Sequence, residues 1–166
     1  MSKYIVAPIA AGIMLAVAGT AQAVTKQTTF QVSATVTTNC VIGANNMLLG
    51  AFDGTNDLAS TSDITVRCTN GTAYSIALDD GVTGSYAGRR MVGPGGNSLV
   101  YNLYTDNTYA AVWGDDTGTT DVVGGSGTGM ANALTRTVYG RLLAADNVGA
   151  VEAGAYSDTI VATITY

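Results

Sequence analysis

Beyond residue 23 the chain never sustains the helical spacing of apolar residues, whereas apolar and polar residues alternate with a period of two again and again. Such alternation turns one face of a strand toward a core and the other toward water, the pattern of half-buried antiparallel sheet. Ile64, Val66 and Cys68 alternate with Thr65, Arg67 and Thr69; Tyr74, Ile76 and Leu78 with Ser75, Ala77 and Asp79; Leu99, Tyr101 and Leu103 with Val100, Asn102 and Tyr104. Further strands read at 134–143 and at 158–166, where Ile160, Ala162, Ile164 and Tyr166 share a face. Turn signals separate them at Asn70-Gly71, Asp80-Gly81 and Gly93-Pro94-Gly95-Gly96, a spacing that predicts an all-β sandwich.

Composition narrows the chemistry. The 166 residues suffice for one domain with its own core. There is no histidine, which removes the usual general base of a nucleophilic triad and the commonest zinc or iron ligand. Twelve acidic against seven basic side chains, with no basic run, exclude a nucleic-acid footprint. The Gly- and Asp-rich stretch 115–129 contains neither a phosphate-binding G-K-[ST] nor a nucleophile elbow, and reads as a mobile loop. Asp115, Asp116 and Asp121 lack cation-loop spacing, so a solvated acidic loop is the favoured reading. Asn70-Gly71-Thr72 fits a glycosylation sequon and is read as a plain turn. Asp79 and Asp80 are adjacent, so their side chains diverge and do not form a catalytic pair.

Lys3, an apolar stretch over 4–17 and the triplet Ala21-Gln22-Ala23 read as a secretory signal with cleavage after Ala23. The apolar stretch is too short for a membrane span, and nothing in the mature chain could form one. Both cysteines, Cys40 and Cys68, lie in the exported part, where an oxidising compartment lets them close a disulfide. Ahead of Cys40, Thr28, Phe30, Val32, Ala34 and Val36 alternate with polar residues and read as a strand. This strand could open a closed sandwich or be lent to a neighbouring subunit; alternation fits both.

Several segments in order carry a resemblance. They are Phe30-Gln31-Val32-Ser33-Ala34-Thr35-Val36, Ile64-Thr65-Val66-Arg67-Cys68-Thr69, Leu99-Val100-Tyr101-Asn102-Leu103-Tyr104, Val112-Trp113-Gly114, Val138-Tyr139-Gly140-Arg141 and Gly154-Ala155-Tyr156-Ser157-Asp158-Thr159 with Thr163-Ile164-Thr165-Tyr166. Together they make the chain similar to the spore coat U domain family, which includes the major pilin subunits of archaic chaperone-usher pili. Leu48-Leu49-Gly50-Ala51-Phe52 departs from the L-x-F-G expected there, which leaves the local register open.

The resemblance implies an incomplete immunoglobulin-like β-sandwich completed by a donor strand from another subunit. Its expected organisation is a signal peptide (1–23), a donor extension (24–36) and the sandwich domain (37–166). The donor residues are then Thr28, Phe30, Val32, Ala34 and Val36, and the acceptor groove is edged by Ile160, Ala162, Ile164 and Tyr166. The implied partners are identical subunits, a periplasmic chaperone and an outer-membrane usher, with no catalytic residue, cofactor or metal. The implied function is a surface pilus serving adhesion and biofilm formation. A self-contained coat protein and a tip adhesin are the alternatives.

Overall fold

The computed structural model describes residues 22–149 and 152–166; most of the expected signal peptide lies outside them. Contacts divide the chain into Met1–Thr35 and Val36–Tyr166. In the first unit the described residues, 22–35, carry no regular secondary structure and are exposed throughout. The strand expected over 28–36 is therefore absent, for a physical reason: an extended segment has no ladder without a neighbour to supply it.

The second unit is all-β. Its strands are β1 (Cys40–Ala44), β2 (Leu58–Cys68), β3 (Ala73–Leu78), β4 (Arg89–Val92), β5 (Ser98–Tyr104), β6 (Val112–Trp113), β7 (Thr120–Asp121), β8 (Val123–Ser126), β9 (Leu134–Leu142) and β10 (Ala162–Thr165). One sheet runs β1-β2-β9-β5-β6-β7, with β4 also paired to β5; the other runs β10-β3-β8. All pairings are antiparallel except β6 with β7. No described helix is long and apolar enough to cross a membrane.

The alternating residues meet between the sheets. Ile64, Val66, Cys68, Tyr74, Ile76, Leu78, Leu99, Tyr101 and Leu103 are all buried, joined by Val138, Leu142 and Trp113. Each large side chain so buried contributes about 1.5–3 kcal/mol. Trp113 is fully enclosed, and its Nε1–H donates to the Ile76 carbonyl at 2.9 Å, tying one sheet to the other.

Two expectations need correction. The stretch 115–129 is not a loop throughout, since it contains β7 and β8, the latter paired with β3. Glycine here allows close approach: a Cβ on Gly125 would run into Tyr74 and Arg136, and one on Gly127 into the Thr69 carbonyl. The last strand starts at Ala162 instead of 158, because Asp158 and Val161 are held by side-chain bonds. The Asp158 carboxylate accepts the Val82 N–H, and the Val161 N–H donates to Asp79 Oδ1.

Candidate functional site

The two sheets do not close on each other everywhere. Between them runs a groove of about 1200 Å³ whose floor is apolar core: Ile64, Leu78, Leu99, Leu103, Val138 and Leu142. One wall is the irregular stretch from Ala44 through Met47, Leu49 and Phe52; the other includes Tyr156, Asp158, Ile160 and Ala162.

The groove lining includes Ala44 of β1 and Ala162 of β10, and the registers of these two edge strands fix which of their backbone groups are free. β10 pairs with β3 as Ala162↔Leu78 and Ile164↔Ile76, and the Asp79 N–H donates to the Val161 carbonyl at 3.0 Å. In an antiparallel ladder the bonded pairs alternate, so 161, 163 and 165 point their backbone groups at β3 while Ala162 and Ile164 point theirs away from it. Among the described residues β10 has no hydrogen-bonded strand on that side. β1 pairs with β2 as Cys40↔Cys68, and the Thr69 N–H donates to the Asn39 carbonyl at 2.9 Å. By the same alternation Cys40, Ile42 and Ala44 direct their backbone groups to the open side.

The disulfide joins Cys40 to Cys68, residues 28 apart that face each other across β1 and β2 with their Cα atoms 4.1 Å apart. It falls on a pair that exchanges no backbone bonds, where side chains lie closest, and so clamps the edge strand β1 to the sheet.

The expected acceptor residues divide. Ile160, Ala162 and Ile164 are half-buried and packed against the core, with Ile160 and Ala162 lining the groove. Tyr166 lies beyond β10 and is 55% exposed, so the inward face ends at Ile164. The expected donor residues are all exposed, Phe30 at 85%, Val32 at 82% and Val36 at 86%. An alternating apolar face left in water is unusual for a secreted chain.

Sequence reasoning missed the residues that hold the second wall in place. Arg89 is fully buried in β4. Its guanidinium donates twice to the Asp79 carbonyl, at 2.9 and 2.7 Å, to the Trp113 carbonyl at 2.7 Å and to Asn102 Oδ1 at 2.7 Å. Burial lowers its pKa, yet an arginine stays charged, and carbonyl dipoles take the place of a carboxylate partner. Asp79 in turn binds the Val161 N–H at 2.9 Å. Tyr101 donates from its hydroxyl to Asp158 Oδ2 at 2.8 Å, and its pKa is raised by burial first and by the Asp158 carboxylate second. Nothing in Gly88-Arg89-Arg90-Met91-Val92 marks Arg89 as the buried one, since its neighbour Arg90 is exposed.

Of the acidic residues singled out above, Asp115 holds a turn. Asp115 accepts from the Thr117 N–H and hydroxyl, which lowers its pKa. Among the described residues no group of His, Cys, Asp or Glu is placed to hold a metal.

The molecule is a β-sandwich with an open apolar groove between its sheets. The same fold occurs in a chain of the chaperone–tip adhesion subunit pre-assembly complex of the archaic chaperone-usher Csu pili of Acinetobacter baumannii. That likeness has a TM-score of 0.52 at 21% identity, covering 80% of this chain and 41% of that one. Residues 26–163 match the model of the Spore Coat Protein U domain, and the chain belongs to that family. Protein U of Myxococcus xanthus is 31% identical over 182 residues, covering 99% of this chain and 98% of that protein. Membership places the chain among structural proteins, not enzymes.

Proposed function

We propose that the chain is a subunit of a surface pilus assembled by strand donation, residues 28–36 of one copy filling the groove of the next. The observation that carries this reading is the pairing of two incomplete halves in one sequence. One is a groove with an apolar floor and free backbone edges. The other is an exposed segment whose apolar residues, Phe30, Val32, Ala34 and Val36, recur at the period a strand needs. An added strand gives the free edges a ladder, and its alternate side chains fill the groove. Burial of Phe30, Val32 and Val36 contributes about 1.5–3 kcal/mol each before ordering costs.

The fold shared with the Csu complex supports a route through the periplasm with a chaperone and an usher, the chaperone guarding the groove until the next subunit arrives. On this reading the chain is a repeating rod subunit in a fibre of identical copies, exposed at the cell surface and serving adhesion and biofilm formation. A second reading, a coat protein that folds back on itself, is favoured by the end-to-end match to Protein U.

One experiment separates them. Deleting 24–36 leaves the acceptor groove intact, so the chain is still exported and held by its chaperone but builds no fibres. Phe30→Asp acts the same way, because a charge enters an apolar pocket only at a cost of several kcal/mol. A copy of the segment attached after Tyr166 by a flexible linker gives a stable monomer. Fibres from the deletion variant, or a parent chain that purifies alone as a stable monomer, would refute strand donation and leave the coat-protein reading.

A further inference from the structure

The connection from β1 to β2 carries no regular secondary structure. It leaves the sheet at Asn45 and rejoins it at Leu58. Both ends are tied down. Ser62 Oγ donates to the Asn45 and Asn46 carbonyls at one end, and Asp57 accepts from Arg141 and the Ala144 N–H at the other. The middle is not: no backbone group of residues 47–52 takes part in a hydrogen bond with another described backbone group. Yet its side chains alternate, with Met47 and Leu49 half-buried against the core and Leu48 between them 83% exposed.

What holds the middle is side-chain contact over one glycine. Gly140 lies buried in β9 between Val138 and Leu142, whose side chains face the core. A Cβ on Gly140 would collide with Met47 Sδ and press on Leu49 Cδ2. Met47 thus sits where an inward side chain of β9 would otherwise stand, within the lining of the groove.

We propose that residues 47–52 are a placeholder strap, seated in the groove by Met47 over Gly140, which the incoming strand of a second copy must lift before it can dock. This rests on the strand-accepting reading above and adds a gate to it. A strap held by side chains alone covers Gly140 and the part of the floor beneath Met47 and Leu49 while the groove is empty. It yields without breaking a ladder, because there is none to break, so the gate restrains joining without locking it.

The test uses the full exported chain and a fluorescently labelled synthetic peptide of residues 26–38, with association followed by anisotropy. Gly140→Ala places a methyl in the seat of Met47 on a strand backbone that alanine adopts without strain. Met47→Ala empties the same seat from the strap side, and covers the case in which Gly140→Ala misfolds. Both variants are expected to capture the peptide on the order of tenfold faster than the parent, the factor that loss of one side chain's contacts gives. Capture by the parent with equal or slower capture by the variants overturns the strap and leaves strand acceptance standing. Failure of the parent and both variants to capture the peptide overturns both.

Discussion

Replacing Arg89 by methionine keeps most of the volume and deletes every donor. Four hydrogen bonds vanish, two from the Asp79 carbonyl, one from the Trp113 carbonyl and one from Asn102 Oδ1. Asn102 Oδ1 retains the Leu103 N–H at 3.0 Å, and Asp79 is only half-buried, so water can reach its carbonyl. Trp113 is fully enclosed and has no such relief. A buried acceptor left unpaired costs about 1–3 kcal/mol, and relief of the buried charge offsets part of the total. The expected loss is about 2–4 kcal/mol. With a urea slope of about 1–3 kcal/mol per molar, the midpoint falls by about 1 M or more. Trp113, the single tryptophan, reports the transition by its own emission. Arg89→Lys keeps the charge and loses the planar fork, so it is expected to fare no better than methionine. The consequence reaches the groove, because Asp79 is the anchor of Val161, between the wall residues Ile160 and Ala162. An Arg89→Met midpoint within about 0.3 M of the parent, or full rescue by lysine, would refute this account of the network.

Other outcomes follow from the same geometry. The exported chain is expected to carry no free thiol under denaturing alkylation, and the paired change Cys40→Ser with Cys68→Ser to cost about 3–4 kcal/mol in equilibrium unfolding. Gly127→Ala drives a methyl into the Thr69 carbonyl, and overpacking against backbone is expected to cost about 1–3 kcal/mol in the same assay. The pKa of Asp57 lies below its ordinary value of 3.8, first through the Ala144 N–H and then through Arg141. Its contribution to stability is therefore complete above pH 3.8 and is lost as pH falls through the lower folded value. Asp57→Asn is expected to flatten that acid limb of the unfolding curve, and an unchanged limb would count against the assignment.

The alternating triplets of β2, β3 and β5 were legible because a two-residue period has one structural meaning when one face must be dry. The disulfide was legible because two cysteines in an exported chain have only each other. β8 was not, since Val123-Gly124-Gly125-Ser126 carries almost no apolar pattern. Its glycines answer to Tyr74 and Arg136, which pack over it from distant parts of the sequence. The inward face of the last strand was legible in the alternation of Ile160, Ala162 and Ile164, which pack against the core. Tyr166 continues that pattern in sequence and leaves it in space, having no partner on β3 beyond the Thr165↔Ser75 pair. Arg89 and the strap were beyond reach. One arginine of an adjacent pair reads as surface until the carbonyls that surround it are known, and a run such as Met47-Leu48-Leu49 reads as strand whether or not anything pairs with it.

The edges of the two sheets are not protected alike. An exposed edge invites pairing with another chain, and proteins blunt such edges by shortening them, charging them or covering them. β7 is two residues long and ends in Asp121; β8 is short, glycine-rich and overlaid by Arg136; β4 carries Arg90 and meets Ser157 through Val92. Each is guarded by one of those means. β1, with the sequence Cys-Val-Ile-Gly-Ala, and β10, Ala-Thr-Ile-Thr, have no charge, no proline and no bulge on their open sides. Each of those two edges contributes a residue to the groove lining, Ala44 and Ala162, and the disulfide fixes one of them in place. A chain that blunts three edges and leaves two bare, each with a residue in the lining of an apolar groove, has the edge pattern that the proposed strand donation requires.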